Sequence, residues 1–357
     1  MKNKYVPFLK LKVNEIAALS VLDEPIKEKI TPFFDLPKEE KETPEKLGDK
    51  ISKSARSVSK NLKKLPQFYL DNFDITDSIL IDGRHNYFFV INEFRNTPFI
   101  PVIGIDRKKE HNTAVFQGKK NGLIKSATVA IRLQPADFAT YELVSSEIDD
   151  LFDLGENVFT EWDLILDNRV CLKVDVTQRA NELIAFITKA LGDYNLRRVI
   201  ITGSSIPSSI GEIIKTDSTL DHHRVELAIF NIVKDAIHRP ELILGDYTVV
   251  SPLYSDLKIA PEAMRNVTAP KIAYSYGNVH FIMRGISLAS HPLGNLQYNQ
   301  LAAILITKTF FRPIVYSFGE NFLSEKSKSI GKQVTPGSIL KPTISTHITY
   351  MSRDYPS

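Results

Sequence analysis

The chain of 357 residues has a single cysteine, Cys171. It can form no internal disulfide and no zinc site built from cysteines. A lone thiol points to a reducing compartment. There is no run of ~18 consecutive apolar residues, so no transmembrane helix is expected. The N-terminus, MKNKYVPFLKLKV, breaks its one short apolar stretch with lysines and lacks a signal-peptide core. These absences lead us to expect a cytoplasmic protein without a membrane attachment. Charge of one sign is also lacking: 45 Lys and Arg against 42 Asp and Glu leave a net charge of +3. That excess is too small to make nucleic acid or an acidic membrane an obligatory partner. The sequence has no Walker P-loop, no G-x-S-x-G elbow, no H-E-x-x-H and no G-x-G-x-x-G, so none of these signatures assigns a chemistry.

What is present is ordinary in composition, with 43% hydrophobic and 24% charged residues, and regular in pattern. Short β-rich runs alternate with helix-compatible stretches. The strands are expected at Tyr5–Lys12, Ile30–Leu36, Gln67–Ile75, Phe99–Asp106, Ala127–Leu133, Asp163–Asp167, Arg198–Thr202 and Leu242–Val250. Between them lie expected helices over Asn14–Leu22, Glu45–Leu65, Asn86–Arg95, Asn112–Leu123, Glu142–Phe152, Gln178–Leu191 and Leu220–His238. Alternation of this kind implies parallel pairing, because a parallel crossover needs a dozen or more residues and a helix supplies them. Continuous apolar runs such as VIGI, LILD and VIIT fit strands covered on both faces. Eight such units predict an α/β protein of the (β/α)8, TIM-like barrel class, a fold of about 250 residues before additions.

The additions follow the eighth strand. Lys271–Tyr276 and Val279–Arg284 read as a β-hairpin turning at Gly277-Asn278. A helix over Tyr298–Thr309 is expected to be the last outer helix of the barrel. The expected division is a barrel over 1–312, including the hairpin 271–284, and an irregular C-terminal appendage over 313–357 packed on it. That appendage is expected to end in a short strand near Thr346–Met351.

Charged residues recur at the C-terminal ends of the strands: Lys10 and Lys12, then Asp35, Asp71, Asp106, Arg132 and Asp167 in turn. In a parallel barrel these ends share one face, where barrel enzymes hold their active sites. Crowded charges in a low-dielectric mouth would shift one another's pKa values, which is how acid, base and ligand roles arise. Asp35, Asp71 and Asp167 are the candidate catalytic residues. Lys10, Lys12, Asp106 and Arg132 are candidates for binding a ligand, although Asp106 can simply pair with the adjacent Arg107. Aspartates without nearby histidines would suit Mg2+, which takes oxygen ligands. Alternatively, Lys10, Lys12 and Arg132 could grip an anion while an aspartate acts as base. The bland reading is that charged residues end strands because the chain is returning to solvent.

Other features carry less. Ser204 and Ser205, after the seventh strand, lead to Ser209 and Glu212 at capping-box spacing, so backbone N–H groups there could hold a phosphate or merely start a helix. Asp246 in the eighth strand is a further mouth candidate. His222-His223 reads as a solvated helix start, His347 as an edge-strand residue and Cys171 as a small core residue. Lys50–Lys64 reads as an outer helix whose basic side faces solvent.

The opening YVPFLKLKVNEIAALSVLDEPIKEKITPFFDLP resembles the start of the beta protein family of phages and bacterial mobile elements. LILGDYTVVSP, the KIAYSY–VHFIMRG hairpin, YSFGENF and THITYM extend the resemblance along most of the chain. It implies a setting among phage and anti-phage genes and hence a defence role, and it brings no catalytic residues with it. Two functions are therefore expected to compete. One is an anti-phage component that binds a phosphorylated or nucleotide-like ligand at the mouth, with metal-assisted hydrolysis. The other is a non-catalytic sensor or scaffold for a phage protein or a defence partner.

Overall fold

A computed structural model describes residues 5–239, 242–254 and 264–355. Eight strands close into a barrel: β1 Tyr5–Lys10, β2 Phe33–Asp35, β3 Phe68–Asp71, β4 Phe99–Ile103, β5 Thr128–Leu133, β6 Glu161–Val170, β7 Arg198–Ser204 and β8 Leu242–Asp246. Every neighbouring pair is parallel, and β8 returns to β1 with Tyr5 opposite Leu244. This is the TIM barrel that the strand–helix alternation predicts.

The period-two geometry of a strand sorts its side chains between two cores. Val6, Phe8, Phe33, Tyr69, Ile100, Val102, Ala130, Ile165, Ile200 and Ile243 fill the interior. Their alternates, such as Leu9, Phe34, Leu70, Ile131 and Leu166, pack outward under the helices. Continuing the inward register one step toward the C-terminal end places Lys10, Asp35, Asp71, Arg132 and Asp167 on top of the interior core. The same rule turns Asp246 outward and Tyr247 inward.

Helices Val13–Ser20, Pro44–Asn61, Asn86–Phe94, Lys109–Lys120, Ser145–Gly155, Val176–Asp193 and Val225–Ala236 follow β1 to β7 in turn. The eighth place is taken by Leu340–Arg353, not by the expected Tyr298–Thr309. Ile344, Ile348 and Met351 of this helix join the core beneath the outer ring. The β-branched run THITYM reads locally as a strand, but burial on both sides of the helix overrides that propensity. The helix accommodates polar residues because their hydroxyls bond back along it: Thr343 donates to the Ile339 carbonyl at 2.9 Å and Ser352 to that of Ile348 at 2.7 Å.

The expected helix start at Leu220 is instead a strand. Ser218–His223 pairs antiparallel with Val279–Arg284, which pairs in turn with Lys271–Tyr276. The hairpin turns at Gly277-Asn278 as expected, with Gly277 at a φ of 46°. The helix Gln297–Leu305 packs beside this sheet. Tyr298, Leu301 and Leu305 share a small core there with Ile272, Tyr274 and Leu323. The C-terminal stretch is more regular than the sequence suggests, holding the helix Phe318–Ser327 as well as Leu340–Arg353. Among the described residues no helix is long and apolar enough to cross a membrane.

If the last helix is part of the barrel wall, truncating its buried face should be costly. Ile348→Ala is expected to lose about 2–5 kcal/mol in urea unfolding. Ile304→Ala, whose side chain is 43% exposed, should stay within about 0.5 kcal/mol. Equal, small effects would show that Leu340–Arg353 is only loosely attached.

Candidate ligand site at the barrel mouth

Arg132 organises the mouth. It rises from β5, is fully buried, and its guanidinium lies 4.8 Å from the ring centre of Phe33 in the layer below. Nη1 donates to Asp35 Oδ1 at 2.7 Å and to Asp71 Oδ2 at 2.8 Å. Nη2 donates to Asp167 Oδ2 at 2.6 Å and to the Tyr247 hydroxyl at 2.9 Å, and Nε reaches Asp167 Oδ2 at 3.1 Å. Tyr247 donates its own proton to Asp167 Oδ2 at 2.6 Å. The five guanidinium N–H groups are thus committed. Burial alone would raise the Asp35 carboxyl, but Arg132, Lys10 and Arg169 together hold it below the ordinary carboxylate range. The structure therefore brings together Asp35, Asp71, Asp167 and Arg132 from four strands.

A second tier lies above them. Arg107 Nη2 donates to Asp71 Oδ2 at 2.8 Å, while Arg107 is 3.6 Å from Asp106. Lys10 Nζ donates to Asp74 Oδ2 at 2.7 Å and stands 3.7 Å from the ring centre of Tyr254. Arg169 contacts the Tyr247 hydroxyl at 3.4 Å and Asp74 at 3.6 Å. Phe73 sits within 4.6–4.9 Å of the guanidiniums of Arg107, Arg132 and Arg169. Arg169 has a left-handed φ of 52°, and its backbone N–H donates to Asp167 Oδ1 at 2.8 Å. Asp167 thus holds both the hub below and the turn that presents Arg169 above.

The sequence pattern misses most of this tier. Arg107 reads only as a partner for Asp106, whereas its shorter contact is to Asp71. Phe73 and Asp74 lie two and three residues beyond the end of β3, and Arg169 lies past the apolar run of β6, where nothing local distinguishes them from ordinary loop residues.

Among the described residues, four buried polar atoms around the mouth have no partner: Asp71 Oδ1, Arg107 Nε, Gln134 Nε2 and Thr202 Oγ1. They belong to residues at the C-terminal ends of four different strands. Buried polar atoms are nearly always satisfied, so a group of orphans around one opening marks a place that a polar molecule or water would fill. Asp106 differs from the inner aspartates. It lies past the end of β4, and its carboxyl is raised, first by burial and then by Asp71 and Asp137, against the pull of Arg107.

Several expected site residues lie elsewhere. Lys12 is exposed just before the helix Val13–Ser20, 5.7 Å from the Tyr254 ring centre, and faces a side cleft. Ser204 is committed to the Val250 carbonyl at 3.2 Å and to the Ile206 N–H at 3.1 Å. Ser205 bonds Glu226 and accepts from the Val225 N–H at 2.7 Å, which ties it to a helix start. Ser209 and Glu212 form a capping box on a one-turn 3-10 helix. As for Mg2+, the Arg132 guanidinium occupies the position among Asp35, Asp71 and Asp167 that a cation would need. Among the described residues no group of three or more His, Cys, Asp or Glu is placed to hold a metal.

Asp246 is also absent from the mouth. It faces outward and accepts from Tyr5 at 2.5 Å, Arg224 Nη2 at 2.5 Å and His347 Nε2 at 3.0 Å. His347 in turn meets Ser275 at 2.6 Å, and His222 bonds the Ser205 carbonyl at 2.8 Å. His347 is thus not an edge-strand residue but lies in the last helix, and His222 does not open a helix. Both are buried where the last helix and the three-stranded sheet meet the barrel wall.

An eight-stranded parallel barrel with an arginine-centred charged mouth defines a TIM-barrel protein. The chain belongs to the Beta protein family, whose model matches residues 5–353. The resemblance of the opening segment therefore extends over nearly the whole length. Among solved structures it is similar to a type I 3-dehydroquinate dehydratase from Clostridium difficile carrying covalently modified comenic acid. The two are 12% identical, and the match covers 71% of this chain and 88% of that chain at a TM-score of 0.40. At that level the likeness says nothing about the chemistry here. No curated protein matches this chain.

Removing Arg132 would take away the one buried cation that all three carboxylates share. Arg132→Leu is expected to cost at least about 3–5 kcal/mol in denaturant unfolding; a near-neutral result would show that water already screens the mouth. The depressed Asp35 carboxyl gives a pH dependence with a definite sign. Its ionised form stabilises the fold fully above about pH 4, the unfolded-state range, and that contribution is lost as pH falls through its lower folded value. Asp35→Asn should therefore lower the urea midpoint at pH 7 and flatten its decline toward pH 3. An unchanged acid slope would remove Asp35 from the network.

Proposed function

We propose that this chain recognises a small anionic molecule, phosphorylated or nucleotide-like, at the mouth of its barrel as a component of a bacterial anti-phage system. The observation that carries the reading is the group of unpartnered atoms at the mouth. Arg107 Nε and Gln134 Nε2 offer donors to anionic oxygens, Asp71 Oδ1 can accept from a hydroxyl or amine, and Thr202 Oγ1 can do either. Phe73 and the Arg107 and Arg169 guanidiniums give such a ligand an apolar and cationic rim. Family membership supports the defence setting.

Recognition fits this arrangement better than metal-assisted hydrolysis. The three inner aspartates are all bonded to one buried arginine, with Arg107, Lys10 and Arg169 beside them, and withdrawing any carboxylate from this network would disrupt its charge pairing. A sensor that passes ligand binding on to a partner protein needs no free base. Acid–base chemistry is favoured by one observation, the raised carboxyl of Asp106, which could hand a proton to a bound ligand.

Thermal-shift and calorimetric titrations with inorganic phosphate and nucleoside monophosphates test the reading, alongside phage-protection assays in cells. Arg107→Ala and Gln134→Ala are expected to weaken binding about tenfold each, which corresponds to about 1.4 kcal/mol, and to lose protection with it. Asp106→Asn should leave both intact if recognition alone matters. Loss of protection with binding retained would instead establish acid–base chemistry. Absence of any anion binding by the wild-type chain would overturn the mouth as a ligand site.

A further inference from the structure

The helix Pro44–Asn61 has an apolar stripe, Leu47, Ile51, Ala55 and Val58, buried toward the barrel. Its lysines are not all on the far side, as the sequence pattern suggests. Lys46, Lys50 and Lys53 follow one another at helical spacing along the flank of the stripe and line a cleft of about 490 Å³. Lys12 faces them from the start of the helix Val13–Ser20. The floor and near wall are aliphatic, made by Leu11, Val13, Ile16 and Pro37. Val13 is 79% exposed at the lip although it is apolar.

We propose that this cleft, separate from the mouth, binds an amphiphilic anion, with a phosphate or carboxylate head on the lysines and an aliphatic tail along the floor. The volume lies within the range of small-molecule pockets, about 300–1,000 Å³. Among the described residues Lys50 is the one of the four whose ammonium is hydrogen-bonded, to the Pro37 carbonyl at 2.6 Å and to Glu42. Lys12, Lys46 and Lys53 form no ion pair among the described residues, and the carboxylates lining the cleft, Glu39 and Asp49, are outnumbered. Ser54 and Ser57 add hydroxyls along the same helix face. Among the described residues no aromatic ring lines the cleft to stack a nucleobase. Lysines in place of arginines supply point charges without the planar fork that selects bidentate groups. The lined face from Lys46 to Ser57 spans about 16 Å at 1.5 Å per residue, enough for an extended chain of medium length.

The proposal is tested on the full chain by calorimetry with decyl phosphate, decanoate and inorganic phosphate, each amphiphile kept below its micelle concentration. Decyl phosphate or decanoate should bind saturably, more weakly as salt rises, and inorganic phosphate should not displace it at equal concentration. Whichever amphiphile binds more tightly identifies the head group. The double variant Lys46→Gln/Lys53→Gln and the single variant Val13→Glu alter exposed positions and should fold normally by circular dichroism. Each is expected to weaken binding about tenfold or more, while Arg107→Ala in the mouth leaves it unchanged. The proposal is overturned if neither amphiphile binds saturably or if both cleft variants bind like the wild type. Loss of binding in Arg107→Ala would also overturn it by placing the ligand at the mouth.

Discussion

The mouth of this barrel depends on one buried cation. Arg132 has no contact with solvent, so its charge is tolerable only because Asp35, Asp71 and Asp167 surround it on the ends of β2, β3 and β6. Such a group is costly to desolvate, and its attraction offsets that cost only when the geometry is satisfied on every side. The constraint acts on the whole barrel end. β5 must present Arg132 inward while β2, β3 and β6 bring their carboxylates to matching heights, with Asp35 opposite Asp71 in the register of β2 and β3. Each carboxylate is then fixed by two or more bonds and carries the next tier: Asp71 holds Arg107, and Asp167 holds Tyr247 and the turn at Arg169.

This has a functional consequence. A guanidinium with its donors committed to aspartates does not grip a substrate, and carboxylates bound to a guanidinium are poor bases and poor metal ligands. The inner tier is therefore a platform, and on the proposed reading recognition falls to Arg107, Gln134, Thr202, Asp106 and the free oxygen of Asp71. The lysine-lined cleft differs in kind. Its charges are exposed and mostly unpaired, and its floor is aliphatic. On the two proposals, the mouth holds a polar group within a fixed frame and the cleft an amphiphile whose binding salt can screen.

A second polar junction ties the chain's end to its barrel. Asp246 holds Tyr5 of β1, Arg224 before the helix Val225–Ala236, and His347 of the last helix. Burial pushes His347 and His280 down from the ordinary histidine range, with Arg224 adding to the fall and Asp246 opposing it. The end of β8 and the residue after it thus carry two distinct tasks: Asp246 fastens the outer wall, and Tyr247 completes the mouth.

The sequence by itself determined the parts of this protein that local physics decides. Strand–helix alternation specified eight parallel strands, and the apolar runs specified their burial. The charges at strand ends brought out Lys10, Asp35, Asp71, Arg132 and Asp167 as one face, because a two-residue period carries each from the interior core to the same rim. Tertiary structure decided what pattern cannot encode. Whether Arg132 is a free cation or a saturated hub depends on carboxylates 35 to 97 residues away in sequence. Asp246 turned outward because register is counted from strand pairing, which one residue of slip reverses. THITYM became a helix and Ser218–His223 a strand because their partners lie far along the chain: barrel and sheet bury the first, and the distant Val279–Arg284 pairs with the second. Local propensity is worth tenths of a kcal/mol per residue to about 1, less than burying a whole helix face, so where the two conflicted the packing prevailed.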